Sequence, residues 1–169
     1  MKSILFLLPA LLILSACSQT FYIVRHAEKE GASTGSTMSS PGDPALSDAG
    51  KKRAEALKEE LRNKKIQYIF STQTRRTLAT ADPLHEVLGI RINFYNTDTL
   101  ANFISRLKSI KKGNVLVIGH SNTVDDISNK LTGETKITGD LKDSEYDNLF
   151  IIERKGDHFS FTRKKYGKD

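Results

Sequence analysis

The sequence predicts an α/β protein: a three-layer α/β/α sandwich built on a mostly parallel sheet. Short apolar runs of strand length alternate along the chain with longer amphipathic stretches of helix length. Gly, Pro and Ser/Thr/Asp residues punctuate the joins. One run, Val115–Ile118, is apolar at every position and bounded by Gly113 and Gly119, as a strand covered on both faces requires.

The elements follow in order. Phe21–Val24 reads as the first strand. Ala27 to Ala45 is rich in Gly, Ser, Thr and Pro and reads as a long loop, a segment of the kind that forms functional lids. Ser47 is placed to cap a helix running to about Asn63, with Ala54, Leu57 and Leu61 on one face. Ile66–Phe70 is a second strand. Thr74 to Leu88 is helical, perturbed at Pro83 and stopped by Gly89. Ile90–Tyr95 is a third strand, and Thr97 or Asp98 caps a helix to about Lys111. After the strand Val115–Ile118, Asn122–Leu131 forms a short helix. Leu149–Ile152 and Phe159–Phe161 read as late strands, paired around Lys155-Gly156-Asp157. No internal repeat and no second domain interrupts residues 21–169.

The chain of 169 residues is long enough to bury one sizeable core. Its net charge of +6 favours anionic partners without selecting one. The excess is scattered, in Lys51–Arg53, Lys64–Lys65, Lys111–Lys112 and Arg163–Lys165, as on ordinary solvated faces. No helix-turn-helix, zinc-finger or aromatic ribonucleoprotein pattern accompanies it, so no nucleic-acid partner is expected.

In open α/β sheets, ligands bind outside the carboxyl ends of the strands. Arg25 and His26 sit just past the end of the first strand, His120 just past Val115–Ile118, and Arg75 and Arg76 just after Ile66–Phe70. Imidazoles and guanidiniums at one rim suit a phosphoryl group. Guanidinium forks pair with phosphate oxygens and stay charged. A neutral imidazole can attack phosphorus, dividing one hard displacement into two easier ones, and cations stabilise the transferring group. Ser121-Asn122 opens the following helix, whose first amides could add an anion-binding end. A zinc site at His26 and His120 lacks a third ligand at recognisable spacing, so no metal and no other cofactor is expected.

These residues resemble the histidine phosphatase superfamily, also called phosphoglycerate mutase-like. Arg25-His26-Ala27-Glu28 resembles its Arg-His-Gly signature, with Ala27 in place of glycine. Leu46 to Gly50 with Arg53-Ala54, Ser71 to Ala81, and Val115 to Val124 resemble its other three blocks, in the same order. The resemblance implies that His26 is the nucleophile that becomes phosphohistidine. It implies that Arg25 binds phosphate and that His120 contacts the phosphoryl group and stabilises the transition state. Of the adjacent arginines, the Thr80-Ala81 pair selects Arg76 as the second phosphate-binding arginine. The acid that protonates the leaving group has two candidates, Asp98 after the third strand and Glu28 beside His26. Asp125 and Asp126 are expected to face solvent.

The implied activity is metal-independent hydrolysis of a phosphorylated small molecule or phosphoprotein. The alternatives are a phosphate-binding or scaffolding domain with little turnover, and mutase-type phosphotransfer. Specificity is expected in Lys29–Pro44 and Thr132–Asn148.

Met1–Ala16 has one positive residue, an apolar run from Ile4 to Leu14, and then small residues, the pattern of a secretory signal peptide. It ends Leu14-Ser15-Ala16-Cys17, and Cys17 is the only cysteine. This resembles the bacterial lipoprotein box. It implies a lipid anchor at Cys17, a short tether over residues 17–20, and a domain held at a membrane of the bacterial envelope outside the cytoplasm. The amino end of the first strand lies opposite the expected catalytic rim, so the site would face away from the membrane.

Overall fold

A computed structural model describes residues 18–31 and 42–167. The leader, Cys17 and the middle of the first long loop lie outside the described residues. The elements are β1 (Ser18–Arg25), α1 (Asp48–Leu61), β2 (Ile66–Ser71), α2 (Arg75–Leu88), β3 (Ile92–Phe94), α3 (Leu100–Ser109), β4 (Asn114–Gly119), α4 (Val124–Thr132), β5 (Asn148–Lys155) and β6 (His158–Lys165). The sheet order is β3-β2-β4-β1-β5-β6. β3, β2, β4 and β1 run parallel, while β5 is antiparallel to β1 and β6 to β5. The sandwich is therefore the expected one, with a mixed sheet whose antiparallel part is the β5–β6 hairpin.

The pleat divides the core in two. In β1 and β4, Phe21, Ile23, Val115 and Val117 point to one face, where Phe103, Leu107 and Ile127 of α3 and α4 cover them. Tyr22, Val24, Leu116 and Ile118 point to the other, beneath Leu57 and Leu61 of α1 and Leu84 of α2. Successive side chains alternate across a strand, so an uninterrupted apolar run is what two covered faces demand.

Several boundaries differ from expectation. β1 begins at Ser18 rather than Phe21, because Ser18–Thr20 pair with Glu153–Lys155 of a β5 longer than its apolar centre. β3 has only three residues, since it pairs with β2 alone at the sheet edge. Neither Thr97 nor Asp98 caps α3. The Asn96 side chain accepts from the Asp98 amide and opens a 3-10 turn, Thr97–Thr99, ahead of the helix. α4 starts at Val124, two residues later than expected, and leaves Ser121-Asn122 in a turn. Asp125 is buried, against the expectation of a solvent-facing residue. It lies on the inner face of α4, and burial raises its carboxyl pKa.

Candidate active site

β1 ends at Arg25, and the parallel partner β4 ends opposite it at Gly119. The His26 amide donates to the Gly119 carbonyl at 2.8 Å, so the register of the two central strands brings His26 and His120 together. Their ring centroids are 5.5 Å apart, edge to face.

A helix completes the floor. In α2, Thr80 Oγ1 donates back to the Arg76 carbonyl at 2.7 Å and accepts the Ala27 amide at 2.9 Å. A threonine four residues after Arg76 thus ties that turn of the helix to the backbone beside His26. Arg76 is half-buried and its Nη2 reaches His120 Nδ1 at 3.4 Å, whereas Arg75 is exposed. Asp43 holds both arginines, accepting from Arg76 Nη1 at 3.2 Å and from the Arg75 amide.

Hydrogen bonding sets the tautomer of both imidazoles. His26 Nδ1 donates to the Ala27 carbonyl at 2.8 Å, which leaves the lone pair on Nε2. Guanidinium can only donate, so His120 Nδ1 accepts from Arg76 and His120 Nε2 donates to Thr72 Oγ1 at 2.9 Å. Burial lowers the His26 pKa to about 3, helped by the positive charges of Arg25 and Arg76. Burial and the same two arginines lower that of His120 to about 4.

Arg25 is 3% exposed. Its Nη1 donates to the Lys142 carbonyl at 2.8 Å, its Nη2 lies 3.6 Å from Asp143, and its Cζ sits 4.1 Å over the Tyr146 ring. Arg25 Nε is buried and has no hydrogen-bond partner among the described residues. Arg25, His26, Arg76 and His120 line one cavity of about 450 Å³, together with Lys29, Asp140 and Asp143. A second cavity of about 500 Å³ shares His120 and Thr97 with the first.

Neither candidate acid lines either cavity. Glu28 turns away to the buried Arg53, whose Nε donates to it at 2.7 Å. Arg53 Nη1 also holds the Tyr166 and Gly167 carbonyls. Asp98 is exposed in the 3-10 turn. The carboxylates that do line the first cavity, Asp140 and Asp143, come from the segment expected to carry specificity. Sequence reasoning missed Thr72, Tyr146 and Asp43. Thr72 follows a strand directly, which is a signal; Tyr146 and Asp43 sit in irregular segments and carry none. Among the described residues no group of three His, Cys, Asp or Glu is arranged to hold a metal ion.

The family model of the histidine phosphatase superfamily (branch 1) matches residues 21–101. That match covers just under half of the chain, and the sheet and helices match those of solved histidine phosphatase structures. The protein histidine phosphatase SixA, solved with tungstate, aligns with a TM-score of 0.65 at 15% identity over 86% of this chain and 96% of that one. A mycobacterial glucosyl-3-phosphoglycerate phosphatase gives 0.58 at 14% identity, covering 90% and 100%. A phosphoserine phosphatase from Entamoeba histolytica gives 0.60 at 11%, covering 89% and 97%. At such identities the likeness is one of fold. No curated protein sequence matches the chain. Family and neighbours together support a phosphatase-type function.

Proposed function

We propose that the protein hydrolyses phosphomonoesters through a phosphohistidine at His26. The observation that carries this reading is a buried neutral imidazole with its Nε2 lone pair available, in one cavity with Arg25, Arg76 and His120. Nε2 attacks phosphorus, an N–P bond forms, and the P–O bond to the leaving group breaks with its electron pair on that oxygen, which takes up a proton. Water then attacks phosphorus, the N–P electrons return to Nε2, and phosphate departs. Arg25 and Arg76 hold the non-bridging oxygens throughout, where their fixed charge stabilises the transferring group.

The test is trapping. Enzyme denatured in alkaline detergent after incubation with a ³²P-labelled acyl or aryl phosphate carries label that survives base and is lost in acid, and His26→Ala carries none. Absence of label and of turnover across a panel of phosphomonoesters, with phosphate still bound, would instead indicate a phosphate-binding domain.

We propose further that Cys17 carries a lipid and that the catalytic rim faces away from the membrane. Ser18 lies at the opposite end of the sheet, paired with Lys155. That end also gathers exposed lysines: Asn114 accepts the Thr20 amide and donates to the Lys64 carbonyl, Lys65 follows Lys64, and Lys111 and Lys112 shortly precede Asn114. A basic end suits an anionic lipid surface.

A further inference from the structure

The first cavity carries the charged groups, but a phosphoester also has a leaving group. In-line displacement sends that group away from His26. His26 and Arg25 line the first cavity and not the second, whereas His120 and Thr97 line both. The second cavity therefore adjoins the first at His120 and Thr97, clear of His26 and Arg25.

Its lining is chemically distinct. No Asp, Glu, Lys or Arg contributes to it among the described residues. Its one titratable imidazole, His120, is held neutral. The other polar residues are Gln73 and Asn96, with amides, and Thr72, Thr74, Tyr95 and Thr97, with hydroxyls. Its apolar element is Phe94, at the end of β3, which is 48% exposed. Only one other large hydrophobic among the described residues, Val87, is exposed to a comparable degree. An aromatic face kept open to solvent beside a reaction centre gives a flat apolar group something to pack on. A charged leaving group such as a sugar acid finds no counter-ion there, and burying it unpaired is costly.

We propose that this cavity is the leaving-group subsite and that it takes an uncharged aromatic group against Phe94, so that aryl phosphomonoesters are the preferred substrate class. The chemistry of departure agrees. No carboxylic acid lines the subsite among the described residues to protonate the leaving oxygen. An aryloxide, of pKa near that of the tyrosine phenol at about 10, departs with far less need of a proton than an alkoxide does. The proposal rests on the phosphatase reading for its substrate, but the subsite can be probed without turnover.

The experiment is calorimetric binding of phosphonates to the full chain. Benzylphosphonate, in which a methylene replaces the ester oxygen of phenyl phosphate, is compared with methylphosphonate and 2-carboxyethylphosphonate. Benzylphosphonate is expected to bind about five-fold or more tightly than methylphosphonate, the size of an aromatic contact. The carboxylate-bearing ligand is expected to gain nothing. The benzyl advantage should vanish in Phe94→Ala and persist in Phe94→Tyr. Phe94 is half exposed at a sheet edge, and methylphosphonate affinity reports that the variants remain folded. Equal affinities for the three ligands, a preference for the carboxylate, or a benzyl advantage untouched by Phe94→Ala would overturn the subsite. A benzyl preference without turnover of phenyl phosphate would leave the subsite standing and remove the phosphatase reading.

Discussion

The buried imidazole of His26 makes a prediction about stability as well as catalysis. His26 is 4% exposed, and its pKa lies at about 3 against 6.5 for an ordinary imidazole. Desolvation is the main cause, with the charges of Arg25, His120 and Arg76 adding to it and the Ala27 carbonyl opposing it. The unfolded chain therefore binds a proton at this side chain near pH 6.5, while the folded chain does not until about pH 3. Between those values folding is opposed by about 1.4 kcal/mol for each pH unit of acidification. The stabilising contribution is complete above pH 6.5 and is lost as pH falls toward 3. By pH 4, some 2.5 units below the unfolded value, the loss amounts to about 3 kcal/mol, a large share of a typical domain's stability. The assay is urea unfolding of the wild type and His26→Gln at pH 7.5, 6, 5 and 4. The glutamine variant does not titrate, so its stability should fall about 3 kcal/mol less across the range, whatever its value at neutral pH. His120 is present in both proteins and cancels to first order. Parallel curves for the two would mean that the folded imidazole titrates like an exposed one, and would refute the neutral-nucleophile reasoning. The functional counterpart is that the acid limb of kcat/KM attributable to the enzyme lies near pH 4, the value for His120, rather than near 6.5.

Two further predictions concern the scaffold and the tether. A Cβ on Gly50 would lie 2.1 Å from the Glu28 carbonyl oxygen, a backbone atom that also accepts the Ser47 amide. Gly50→Ala should therefore cost about 2 kcal/mol, despite alanine's better helix propensity, and lower Tm by about 4–8 °C. An unchanged melting curve would show that α1 and the residues after His26 are not in the close contact described. Cys17→Ser should release the protein from the membrane fraction while leaving kcat/KM for soluble aryl phosphates within about two-fold; continued membrane association would eliminate the lipid anchor.

The alternating sheet, its two apolar faces and the strand ends carrying Arg25, His26 and His120 were legible because they follow from local rules. Strand pleat, helix period and the carboxyl-end rule act on neighbouring residues. The choice of Arg76 over Arg75 came from the family resemblance, through the Thr80-Ala81 pair that follows it; helix geometry added only that consecutive residues point about 100° apart, so both would not face one phosphate. The candidate acids were of another kind. Glu28 is two residues from His26, yet its partner is Arg53 from α1, because the chain turns immediately after β1. Asp98 occupies the expected place after β3, but Asn96 opens a 3-10 turn there and Asp98 is left exposed.

By itself the sequence determined the layer architecture and the identity of the charged groups at the rim, since hydrophobic period and motif spacing are one-dimensional properties. Tertiary structure alone decided what those groups touch. It set Tyr146 under Arg25 and Thr72 against His120, and it opened a second, uncharged cavity beside Phe94. It also lowered the imidazole pKa values, because desolvation depends on how many atoms from distant segments surround a ring. No pattern of neighbouring residues encodes that number.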